Sequence, residues 1–152
     1  TDRCVHQELG WNFRMSNLQA AVGVAQLERL PQTLEKKREI GRMYHQHLKG
    51  CESFTPPLTQ TAYCENIYWV FGIISKDDSR DAKWWMNKMK ERGIGTRPFF
   101  YPMHLQPALQ SNSPKENNYP ESEKITKYGF YLPSGVTLCE DRISTVSQKL
   151  IG

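Results

Sequence analysis

Apolar positions along the chain alternate between helical spacing and short continuous runs, and the polar breaks between them predict the order α, α, β, α, β, loop, α, β, α. An irregular polar–aromatic entry (Gly10, Trp11, Asn12, Phe13, Arg14) leads to Ser16 and Gln19, which read as a capping box, with Met15 placed for a staple contact. Leu18, Ala21, Val22 and Ala25 then fall on one face and Ala20, Val24 and Leu27 on the other. A helix start that is apolar on both sides predicts close packing on two neighbours. Pro31 should kink or restart this helix, since it lacks a donor and crowds the preceding turn. The continuation carries Ile40, Met43, Tyr44 and Leu48 at helical spacing, and Gly50 stops it.

Residues 51–66, with Pro56 and Pro57, have no helical period and read as a crossing. The apolar run 68–74, YWVFGII, predicts a buried strand, and 76–79 a turn. Ala82, Trp85, Met86 and Met89 line one face of a helix that ends at Gly93, a left-handed cap position. Residues 94–97 predict the next strand, and the polar 111–118, SNSPKENN, a mobile loop. Pro120 opens a short helix, 129–132 supplies a third strand, and Thr137 with Glu140 reads as a second capping box. That box would start a last helix with Ile143, Val146 and Leu150 inward. The fold class expected is α/β (α+β): a short sheet flanked by helices, residues 51–152, preceded by an entry segment and long helical arm, residues 1–50.

Composition narrows the function classes. At 152 residues and 38% hydrophobic side chains the chain can build one core, or a small domain with an extension. The net charge of +4 is dispersed, and the basic run at 36–38 is flanked by Glu35 and Glu39, so it reads as a solvated helix face. No basic stripe interleaved with aromatics calls for nucleic acid, and no apolar run reaches a membrane span. Cys4, Cys51, Cys64 and Cys139 are irregularly spaced, which points to a reducing, cytoplasmic setting. His45 and His47, two apart on a helix, do not face each other and make a poor metal pair, so no metal is expected.

Two clusters carry candidate chemistry. Asn12 and Arg14 sit just ahead of a helix N-terminus, where free amides and the dipole favour an anion. The plainer alternative is a well-capped buried helix whose Asn12 and Arg14 satisfy neighbouring backbone. In the second, GIGTRPFFYPMHLQP over 93–107, Arg97, Phe99, Phe100, Tyr101 and His104 follow one another on a segment leaving a strand. Arginine offers a planar fork for phosphate or carboxylate, the aromatics offer stacking faces, and His104 can donate to a polar substrate group. The alternative there is a packed aromatic corner with a surface arginine.

These same segments carry a resemblance. GWNFRMSNLQAAVGVAQLERL, residues 10–30, resembles the G-[YW]-N-[FY]-R-M-[ST]-x-[LI]-Q-A-A-x-G segment of the DegT/DnrJ/StrS sugar aminotransferases. These are pyridoxal-phosphate enzymes of the aspartate-aminotransferase (type I) fold that aminate nucleotide-linked keto-sugars. The 93–107 segment resembles the family's other C-terminal signature, in a form closest to the branch that aminates a GDP-4-keto-6-deoxy sugar to perosamine for polysaccharide biosynthesis. The resemblance covers essentially the whole chain and only the C-terminal part of the family's length. It implies that Asn12 reaches the cofactor phosphate of the other subunit, with Arg14 near the same site. It further implies that Arg97, Phe99, Phe100 and Tyr101 line the nucleotide-sugar cleft and that His104 belongs to the substrate-side loop.

The implied partners are a large pyridoxal-phosphate-binding domain, a second subunit of a homodimer, the nucleotide sugar, and an amino donor that the family expects to be glutamate. The family's Schiff-base lysine is expected upstream, no lysine here has a matching context, and none of these residues is assigned as catalytic. The parent protein is expected to be an aminotransferase, while the status of this piece alone stays open. The opening TDRCVHQELGW reads as the middle of something longer. The alternative is a non-catalytic sugar-nucleotide-binding or assembly module that keeps the fold without the lysine domain.

Overall fold

The computed structural model describes residues 5–8, 10–109 and 118–152. Cys4 and, apart from Asn118, the loop expected at 111–118 lie outside these residues. Helix α1 spans Asn17–Glu28 behind the capping box read from the sequence. The Ser16 amide donates to Gln19 Oε1 at 2.7 Å, and Ser16 Oγ accepts from the Gln19 amide at 3.4 Å. The chain restarts as α2, Leu30–His47, with Pro31 in its first turn, where a missing N–H leaves no bond unmade. Ile40 and Tyr44 of α2 are fully buried, and the Tyr44 hydroxyl donates to the Pro133 carbonyl at 2.6 Å. The second half of α2 is therefore part of the domain core.

Strands β1 (Phe54–Thr55), β2 (Phe71–Ser75), β3 (Arg97–Pro98) and β4 (Gly129–Leu132) form an antiparallel sheet in the order β1-β2-β4-β3. β1 lies within 51–66, where the sequence predicts no strand, because two residues are too few to leave a period. Burial alternates along β2, so Phe71, Ile73 and Ser75 turn to the core and Gly72 and Ile74 to the other face. The core side is closed by α2, α3 (Ala82–Glu91) and α5 (Glu140–Ile151), which bring Trp85, Met89, Ile143 and Leu150 onto Phe71 and Phe130. Trp85 stacks edge-on with Phe54 at 4.8 Å, and its indole N–H donates to buried Ser75 Oγ at 3.0 Å. Gly93 takes a left-handed φ of 77° just past α3, as expected.

Two expectations give way. The last helix is capped at Cys139 with no side-chain bond, so Thr137 and Glu140 do not form a capping box. The Leu138 amide donates to the Gly135 carbonyl, and this turn holds the chain out of the helix until after Thr137. Helix α1 has no buried residue: Leu18 is 83% and Leu27 64% exposed. Among the described residues α1 meets the start of α2 and buries nothing, so neither the two-sided packing nor the buried-helix alternative is seen there. The remaining helix, α4 (Pro120–Tyr128), packs on the outer face of the sheet beside β4, where Ile125 joins Gly72, Ile74 and Tyr131.

Candidate functional site

The sheet register builds the site. Arg97 pairs with Tyr131 and Tyr131 with Gly72, so these three share the face opposite Phe130 and Leu132. Phe99, two residues beyond Arg97, falls on that same face and rests against Tyr131 with ring centroids 4.3 Å apart. A β-carbon on Gly72 or Gly129 would come within 2.5 or 2.6 Å of the Phe99 ring, so the two glycines make the space that it fills. Phe100 is 60% exposed and lies nearly parallel to Trp69, itself 63% exposed, at 6.4 Å and 11°.

Trp69 owes its exposure to the residue before it. Tyr68 takes a left-handed φ of 50°, held by its amide donating to Asn66 Oδ1 at 2.7 Å. That turn leaves Tyr68 buried and Trp69 outside. Read as part of a continuous strand, Trp69 gave no such signal in the sequence.

The other predicted residues lie around this face rather than on it. His104 sits in a 3₁₀ turn, Met103–Leu105, with Nε2 3.0 Å from Glu123 Oε1 of α4 and its ring 4.8 Å from Tyr119. This contact fixes one ring nitrogen and leaves Nδ1 for another partner. Tyr101 joins His6, Gly10 and Met103 around an apolar hollow of about 610 Å³. The entry segment is strapped there: the His6 amide donates to the side chain of buried Gln106 at 2.9 Å, and the His6 carbonyl accepts from Ala108 at 3.1 Å. Gln106 and Glu123 escaped the sequence reading, although Gln106 stands inside the 93–107 motif.

Arg97 opens on a cleft of about 570 Å³ next to the aromatic pair, shared with Lys37 and the turn through Ser134 and Gly135. Lys37 Nζ donates to the carbonyls of Trp69, at 2.9 Å, and Ser134, at 2.5 Å. Burial pushes its ammonium below the usual lysine range. Asn12 and Arg14 stand apart, exposed, with Phe13, Met15 and Gln19 around an open hollow of about 580 Å³. An amide and a guanidinium suit the phosphate end of a pyridoxal cofactor. Among the described residues no lysine lines the hollow.

The sequence profile of the DegT/DnrJ/EryC1/StrS aminotransferase family matches residues 1–151. This chain belongs to that family. Its relatives include the GDP-perosamine synthase of Vibrio cholerae, 33% identical over 144 residues, or 93% of this chain and 38% of the relative. The GDP-perosamine synthase of Escherichia coli O157:H7 is 29% identical over 145 residues, covering 95% and 38%. The fold is similar to that of S. venezuelae DesV, with a TM-score of 0.77 at 23% identity over 97% of this chain and 39% of that one. That likeness bears on the fold alone, and it agrees with the mixed α/β architecture expected from the family resemblance. The chain spans about 38% of the length of the curated relatives it matches. Among the described residues no helix is long and apolar enough to cross a membrane.

Proposed function

We propose that this chain is the C-terminal domain of a pyridoxal-phosphate-dependent nucleotide-sugar aminotransferase, acting in 4-amination of a GDP-4-keto-6-deoxy sugar toward perosamine. The observation that carries the reading is the exposed, nearly parallel Trp69–Phe100 pair beside the Arg97 cleft, a surface with ring faces for a nucleobase and cations for its phosphates. The match to the Vibrio cholerae GDP-perosamine synthase supports the choice of GDP. In this reading Phe99 and Tyr131 form the floor under the pair, and Tyr101 and His104 border the sugar. His104, anchored by Glu123, turns Nδ1 to a sugar hydroxyl.

Residues 1–50 are read as the entry and interface arm, whose second half in α2 packs into the small domain of 51–152. Asn12 and Arg14 hold the cofactor phosphate across a homodimer, with the cofactor lysine on a large domain. When bound, pyridoxal phosphate supplies the electron sink that amino transfer needs. Glutamate is the amino donor and the cytoplasm the setting. The second reading is a binding or assembly module that keeps the fold without chemistry of its own.

The test is made in the complete enzyme that the reading requires. His104→Ala should lower turnover with the keto-sugar while cofactor retention stays intact. Asn12→Ala should instead weaken cofactor retention by about 1.5–3 kcal/mol, the worth of one charge-assisted hydrogen bond. The reverse pattern would exchange the two assignments. Faster amination of a dTDP- or UDP-linked sugar would refute the GDP branch alone, and no transamination at all would favour the binding module.

A further inference from the structure

We infer that Lys37 and Arg97 together form a diphosphate-binding cleft, in which Lys37 is a binding residue that the family motifs do not include. The inference rests on the nucleotide-sugar reading for the identity of the ligand, and on the cleft itself for its charge. Among the described residues the cleft is lined by two cations and no carboxylate. Arg97 is exposed, and its guanidinium has no hydrogen-bond or ion-pair partner among the described residues. An anion seated in the cleft would meet the planar fork and the ammonium together.

Lys37 is held in place for that role. Its ammonium has three N–H donors, and the carbonyls of Trp69 and Ser134 take two of them. One carbonyl comes from the lead into β2 and the other from the turn after β4, so the ammonium ties together two walls of the cleft. The third donor has no acceptor among the described residues. Thr96 and Thr137 add hydroxyls to the lining. Gly95 and Gly135 carry nothing within 4 Å of where a β-carbon would stand, so an oxyanion can approach the backbone there. The cleft shares Val70 and Tyr131 with the hollow that Trp69 and Phe100 line. A diphosphate in the one thus continues into a base against the other.

A plain strap is the competing role for Lys37, and Arg97 separates the two because its side chain holds nothing in the fold. Pyrophosphate is titrated calorimetrically into the full chain, with GDP and glutamate as further ligands. Arg97→Gln and Lys37→Met should each weaken pyrophosphate about tenfold or more, and Lys124→Gln, a surface cation outside the cleft, should not. Binding unaltered by Arg97→Gln, or absent in the unsubstituted chain, would overturn the proposal. So would displacement of pyrophosphate by glutamate at lower concentration than by GDP, which would assign the cleft to a carboxylate. If pyrophosphate depends on Arg97 but GDP binds no more tightly, the cleft stands and the nucleotide reading fails. If GDP binds and neither substitution weakens it, the cleft is wrong and the nucleotide reading survives.

Discussion

Gly41 shows how closely the core of this domain depends on single residues. It lies in α2 against the Tyr68 ring, and a β-carbon there would stand 2.3 Å from that ring. Tyr68 is buried, and its backbone is fixed by the Asn66 side chain, so the ring has little room to yield. Alanine would gain about 1 kcal/mol in helix propensity, while overpacking costs about 1–3 kcal/mol. Gly41→Ala should therefore lower stability, and a reduced urea midpoint with an unchanged slope checks it. His45 carries a pH dependence. Its ring lies edge-on to Tyr68 and Phe71 at 5.7 and 5.4 Å, and Nε2 is buried without a hydrogen-bond partner among the described residues. Burial lowers its pKa, so the folded chain takes up the proton later than the unfolded chain does. The stability contributed by neutral His45 is complete above a pH of about 6.5 and is lost as pH falls from there through the folded pKa. The urea midpoint should drop over that range, and His45→Leu should flatten the drop. Parallel pH profiles for the two proteins would contradict it.

Elements differ in what holds them. α5 is held by tertiary packing through Ile143, Val146 and Leu150, whereas α1 buries nothing and depends on its cap and intrinsic propensity. A helix of that length is marginal alone. Ser16→Ala should cost α1 about 1 kcal/mol. The expected readout is faster amide exchange across Asn17–Glu28 with the global urea midpoint unmoved; a lower midpoint would show α1 coupled to the core. Local chemistry made several elements legible in advance: the box at Ser16, the restart at Pro31, the stop at Gly93 and the strand Gly129–Leu132. β1 and the 3₁₀ turns around His104 were not legible, since they are too short for a period and depend on what they pack against. The box at Thr137 and Glu140 failed for a related reason, because a turn at Gly135 delays the helix.

For the whole molecule, the apolar residues of α1 decide behaviour in solution. Leu18, Val22, Val24 and Leu27 are each more than half exposed, between 58% and 83%. Exposed apolar surface of this kind drives association. The chain is expected to sediment as a dimer or larger species, and Val24→Lys should shift it toward monomer. A monomer at high concentration that binds no apolar dye would contradict this.

The sequence by itself determined the family, the order of the elements other than β1 and the 3₁₀ turns, and the inward faces of α2, α3 and α5. These follow from local spacing, capping chemistry and contiguous motifs, all of which lie within a few residues of one another. It also singled out every aromatic from Phe99 to Tyr101, with Arg97 and His104. Tertiary structure alone decided their grouping. Strand register puts Arg97, Phe99, Tyr131 and Gly72 on one face, and the left-handed turn at Tyr68 brings Trp69 to Phe100. Glu123 meets His104 across 19 residues and Lys37 meets Ser134 across 97. Contacts over such separations leave no periodic trace, because they depend on where the chain returns and not on what stands next to what.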